Sequence, residues 1–241
     1  DNQANNAVCS ALTVDATVAD ACPGACPDGT LEVPREGSRT LYPGTYRFDR
    51  VRVRNEGRLV VNGPATIYVD RDLQLDEKAA LEIRGGEVTF LVRGDLEAAV
   101  ESAITVDASA QATLKVNGDA VFRNRSVLTT NGPTELYIHG KLDIQNEARI
   151  GSDPTLLVMY LDTSTAGGDV KIGKEATVQG GIYAPTREVE LEKDAALTGA
   201  IVAQKIRLKE GAGVTYDANA GSGVLGSGCG SGVSPGSWEP L

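Results

Sequence analysis

A chain of 241 residues with 23 basic and 33 acidic side chains has a formal charge of −10, the wrong sign for holding a phosphate backbone. One Trp, seven Tyr, three Phe and one Met stand against many Val, Ile, Leu and Ala and 28 Gly, which suits a narrow core of small stacked side chains. No apolar run reaches the roughly 18–20 residues that span a bilayer, so no membrane span is expected, and the single His leaves little for Ser-His-Asp or Cys-His chemistry.

Residues 1–40 read as a cysteine-containing leader or cap. Asp1 in place of an initiator Met suggests a processed or trimmed amino terminus. Residues 7–19 are small, apolar and patchily alternating, and Val8, Leu12, Val14 and Val18 are candidates for capping the fold or touching a neighbouring subunit. Cys9, Cys22 and Cys26 belong to this Pro/Gly-rich region, and Cys229 lies near the other end. An even number of cysteines outside the regular region points to disulfide staples, hence to export through an oxidising compartment and an extracellular or cell-surface location. Four cysteines allow three pairings. Cys22 with Cys26, leaving Cys9 with Cys229, is the simplest, and a bond between subunits is the alternative. A zinc site would need further ligands close by, but the CPGAC spacing has no second pair and His139 is far along the chain, so neither metal nor cofactor is expected.

From residue 41 to 217 the chain repeats. Blocks at 45–64, 65–86, 87–111, 112–133, 134–154, 155–180, 181–199 and 200–217 each open with an apolar triplet or quartet. A first strand, such as residues 66–69 or 136–138, leads through a Gly, Asn or Asp turn to a second alternating stretch such as Leu73-Gln74-Leu75. A Glu/Lys/Ala corner and a third stretch such as Leu81-Glu82-Ile83 follow, and Gly or Gly-Pro closes the block. Strict alternation means one buried face and one wet face per strand. Three such strands per block, none able to bury its own inner face, predict a single all-β domain. Its fold class is a right-handed parallel β-helix, a three-sided β-solenoid of about eight coils. At about 4.8 Å per coil the stack is on the order of 38 Å long. Variation in block length is expected to bulge from corners, chiefly at 97–103 and 161–170. The rival fold, an antiparallel sandwich, does not explain why Asn62-Gly63-Pro64 and Asn131-Gly132-Pro133 recur at one phase.

Arg47, Arg50, Arg52, Arg54 and Arg58 cluster, but Asp49 and Glu56 interleave, which reads as a solvated strand face. Asp70, Asp72, Asp76 and Asp143 could imitate the carboxylates of a polysaccharide-cleaving β-helix, yet acids are scattered through every coil and solubilise it. His139 reads as a plain corner histidine. Thr66, Thr89, Thr113, Thr134 and Thr155 recur at coil starts, the pattern a flat ice-binding face would extend. No catalytic residue is assigned, and the chain reads as a non-enzyme. Residues 218–241 form a Gly/Ser-rich tail that carries Val233, Trp238 and Leu241, candidate subunit contacts at the end of a tether.

Residues 41–46 (LYPGTY), leading through 51–53 and 59–68, and the segment 199–217 resemble motifs of bacterial exported β-helical proteins of the PilX-type, pilus-associated and surface-anchored kind. Ser237-Trp238-Glu239 resembles the closing aromatic of those chains. The three-sided pattern also resembles the bactofilins, solenoids that polymerise end to end without nucleotide. The resemblance implies a structural protein and carries no catalytic residues. The expectation is an extracellular subunit of a filament, pilus or cell-surface assembly. It would self-associate into a homopolymer, or join other surface proteins, through its ends and terminal segments. The alternative is an adhesin that holds polysaccharide or a surface on a solenoid face, with a carbohydrate-active enzyme or an ice-binding protein less favoured.

Overall fold

The computed structural model describes residues 29–161 and 169–224. They form an all-β chain whose 22 strands pair in parallel, each with strands one coil before and after it. The first face stacks Leu31–Val33, Val51–Val53, Leu73–Leu75, Leu96–Ala98, Ala120–Phe122, Leu142–Ile144 and Val170–Ile172. The second begins with Ser38–Leu41 and the third with Gly44–Phe48, and both continue in the same way. The result is a three-sided β-solenoid of about eight turns. Two long strands near the end, Thr177–Leu191 and Ala196–Leu208, each cover more than one face. They bend at Gly180 and Gly199, where a Cβ on Gly199 would collide with the Gly180 carbonyl. Stacked strands begin at Leu31, N-terminal to the boundary expected at 41. Leu31-Glu32-Val33 is a bare triplet behind a Pro/Gly-rich stretch, too short to stand out as alternation.

Alternation fills the core in columns. On the third face Tyr46, Ile67, Phe90, Leu114, Leu136 and Met159 stack one above another. On the first face Val53, Leu75, Ala98, Phe122 and Ile144 do the same. Each apolar side chain therefore has a lid and a floor supplied by adjacent coils, and burying one is worth roughly 1.5–3 kcal/mol.

The corner between the first and second faces is uniform. It is four residues long in every coil, and the amide of its fourth residue donates to the carbonyl of its first, as Ala79 does to Asp76 (3.0 Å) and Ala148 to Gln145 (3.2 Å). Its third residue has positive φ: Glu36, Glu56, Lys78, Glu101, Arg125, Glu147, Glu175 and Asp194 all lie between 56° and 60°. Positive φ at the third position alone is the type II signature. It turns that residue's amide along the rod, where Glu101 donates to Asn124 (3.2 Å) and Glu147 to Lys174 (2.9 Å) in the next coil. The fourth residue is small and faces inward, as in Gly57, Ala79, Ser102, Ser126, Ala148, Ala176 and Ala195. Left-handed backbone costs an L-residue about 1–2 kcal/mol, so Glu56→Gly, at an exposed corner, is expected to raise stability. The gain should be about 0.5–1 kcal/mol after the extra freedom of the unfolded glycine is subtracted, read from urea denaturation.

Residues 97–103, expected to bulge, instead supply the end of strand Leu96–Ala98 and one of these regular corners. The extra length of that coil falls at residues 107–109, between the second and third faces, where the amide of Ala110 donates to the carbonyl of Asp107 (2.9 Å). Most of the other segment expected to bulge, 162–168, lies outside the described residues.

Candidate functional site

The corner between the third and first faces carries an aspartate ladder. The carboxylate of Asp72 accepts from the amide of Asp95 (3.2 Å), that of Asp95 from Asp119 (2.8 Å), and that of Asp119 from Lys141 (2.9 Å). Beside it Gly94, Gly118 and Gly140 stack amide to carbonyl, each at 2.8–2.9 Å from the coil before. A Cβ on Gly118 would collide with the Asp95 carboxylate and the Gly94 carbonyl. These carboxylates each hold a backbone amide of the next coil.

The clustered arginines are matched one for one. Arg47 makes a two-pronged contact with Asp70 (2.8 and 3.0 Å), Arg50 reaches Asp72 (3.0 Å) and Arg52 reaches Asp76 (3.0 Å). Arg54 pairs with Glu32 (2.6 Å) and Arg58 with Glu82 (2.5 Å). Each partner lies in an adjacent coil, so the pairs are offset by one coil length in sequence. Partly exposed pairs of this kind contribute about 0–1 kcal/mol each and mainly favour correct register. The hydrogen bond from Arg58, reinforced by Arg84, holds the Glu82 carboxyl below the usual carboxylate range. Its contribution is therefore present above the unfolded carboxyl pKa and is lost as pH falls through the lower folded value. Of the four aspartates that could imitate a cleavage site, Asp70, Asp72 and Asp76 are taken up in this way, and Asp143 accepts from Gln145 (3.2 Å). Among the described residues no group of three or more His, Cys, Asp and Glu could hold a metal ion. No helix among them is long and apolar enough to cross a membrane.

The expected threonine row is shorter than the sequence pattern. Thr45, Thr66, Thr89 and Thr113 stand in register on the third face, but Glu135, Val158 and Gly181 continue the row. Thr134 pairs with Ala112, is buried, and donates its hydroxyl to the Gly132 carbonyl (2.9 Å). Tyr137 and Tyr160 stack with ring centroids 4.8 Å apart, and Tyr183 meets Tyr160 edge-on at 6.4 Å. The first spacing equals the coil rise, so those two rings face one another along the rod. Burial, with the nearby Glu135 carboxylate, pushes the Tyr137 phenol up to about 12. Its neutral form favours the folded state, so this contribution is intact below about pH 10 and fades as pH rises toward 12. An ultraviolet titration should show one tyrosine ionising late, and Tyr137→Phe should remove that step.

Arg187, which the sequence pattern did not single out, is buried at the irregularity between Ala184 and Glu188. Its guanidinium donates to the carbonyls of His139 (2.6 Å) and Gly140. A lone Arg after Ala184-Pro185-Thr186 has no alternation or motif around it to mark it. His139 thus sits at a coil corner where its backbone, at least, serves the fold.

The two ends of the stack differ. In the first coil Leu31, Val33 and Leu41 are already buried, and Tyr46 and Phe48 occupy the inward register of the third face with their rings stacked at 6.1 Å. In the last coil the inward columns run out into solvent. Ile206 is 43% exposed, Leu208 50%, Val214 36% and Tyr216 69%, although Val189, Leu191 and Leu197 directly before them are buried. Among the described residues no further strand pairs with the outer edge of the strands carrying them.

The family model described as Domain of unknown function (DUF7305) matches residues 2–114 and again residues 99–221. The chain belongs to that family. A double match with an overlap fits a stack whose successive coils repeat one pattern. No curated protein and no solved structure matches the chain. Cys9, Cys22, Cys26 and Cys229, and the candidate contacts Val8, Leu12, Val14, Val18, Val233, Trp238 and Leu241, lie outside the described residues.

Proposed function

We propose that this chain is an extracellular structural protein, a rigid solenoid subunit of a cell-surface assembly that joins its neighbour through one end. The observation that carries this reading is the exposed last coil, where four large apolar side chains stand in the inward register with no coil above them among the described residues. Soluble proteins protect such edges with charge, proline or a covering segment, and an apolar edge left bare is an interaction surface. Many outward carboxylates are engaged in cross-coil ion pairs or hold backbone, which supports a scaffold. The even cysteine number and the resemblance of 41–68 and 199–217 to exported, PilX-type and surface-anchored β-helical proteins favour the extracellular setting. Negative-stain microscopy of purified protein at rising concentration tests the role. End-joined particles are expected, and single particles under every condition would contradict it. Mass spectrometry with and without reductant tests the setting, since a fully reduced native protein would remove the case for export.

A further inference from the structure

Among the described residues, the chain that leaves the open last coil does not cover it. After Tyr216 the backbone turns back along the rod, and the amides of Gly221 and Gly223 donate to the carbonyls of Pro154 and Thr155, both at 2.9 Å, at a corner three coils earlier. The opposite end of another copy is a poor lid as well. Its Leu31, Val33 and Leu41 are already buried, and Arg39 occupies the inward column that Leu59 and Leu81 fill in the next two coils. A coil laid there in register would set Val214 against a guanidinium and strip its water, the device by which natural edges resist strand addition.

We propose that the last coil takes a second copy of this chain by the same end, which makes a closed two-fold pair of rods. This rests on the assembly reading above and replaces the propagating filament with a pair. One open end per copy terminates growth at two, and a two-fold contact is self-complementary. Ile206, Leu208, Val214 and Tyr216 of each copy cover those of the other. The rim cations do not oppose this. Lys205 and Arg207 are bound by Glu188 (3.2 and 2.9 Å), and Lys209 by Glu190 and Glu192 (2.6 and 2.8 Å), so each rim arrives neutralised. The contact is one coil in cross-section, well below the ~800 Å² per partner of a standard interface, so the pair is weak and depends on concentration.

Sedimentation equilibrium of the full chain under reductant, from low to high micromolar concentration, tests the pair, the reductant excluding dimers linked through cysteine. A monomer–dimer equilibrium is expected. Leu208→Lys should weaken it at least ten-fold, and Val214→Lys should do the same if the first variant loses its circular-dichroism spectrum. Arg39→Leu should leave it unchanged. Dimers that both lysine variants leave intact would overturn the proposal. Larger species abolished by Leu208→Lys would overturn the pair but keep this end as the docking surface. Monomer at every concentration would overturn both.

Discussion

Phe122→Ala is expected to remove about 3–5 kcal/mol of stability, the largest loss from any single side chain in the core. Phe122 is fully enclosed, and in its column it lies directly above Ala98 and below Ile144. The large ring compensates the small residue beneath it. Truncation would place two alanines in successive layers, and close-packed columns held by backbone ladders cannot collapse to fill the gap. The loss should therefore fall at the high end for a phenylalanine. A second substitution can check the reason. Ala98→Leu alone should be destabilising by overpacking, by about 1–3 kcal/mol, whereas Ala98→Leu with Phe122→Ala should recover much of the loss. Urea denaturation of the three variants decides it. Additive losses in the double variant would show that the two layers do not share space.

Gly118→Val should be nearly as damaging through a different mechanism. The side chain would meet the Gly94 carbonyl and the Asp95 carboxylate at the corner between the third and first faces. The carboxylate can swing away, but doing so releases the amide of Asp119, and the carbonyl cannot move without breaking the stack of Gly94, Gly118 and Gly140. A loss on the order of 3 kcal/mol is expected, since both a backbone clash and a broken ladder bond contribute. Asp95→Ala isolates the second part and should cost about 1 kcal/mol, by the same denaturation assay. A Gly118→Val protein as stable as its parent would mean that the corner is not built as described.

The inward columns could be read directly from the sequence, because runs such as Leu73-Gln74-Leu75 and Leu142-Asp143-Ile144 alternate strictly and recur once per coil. The corner between the first and second faces was only half visible. Glu, Lys and Ala marked its place, but a charged residue in the left-handed region carries none of the signal that glycine would, and the fixed length appears only once the coils are aligned. The ion pairs from Arg47 to Arg58 were hidden for a related reason. Their partners lie one coil length away, where no short-range pattern points. Thr134 and Thr113 look equivalent in the sequence, yet a one-residue difference in register puts Thr113 in the row with Thr89 and Glu135 and Thr134 in the next row with Ala112. The open end could not be seen at all. Ile206 and Leu208 read like any other core pair, and it is their exposure at the last described coil that makes them a surface.

Hydrogen exchange measured by mass spectrometry, in dilute and in concentrated protein, tests most directly the claim of one closed and one open end. In dilute protein the amides of 96–122 should exchange slowest, those of 31–41 slowly, and those of 206–216 fast. Raising the concentration should slow exchange in 206–216 alone. Equal fraying at both ends, or protection gained at 31–41 instead, would contradict the account.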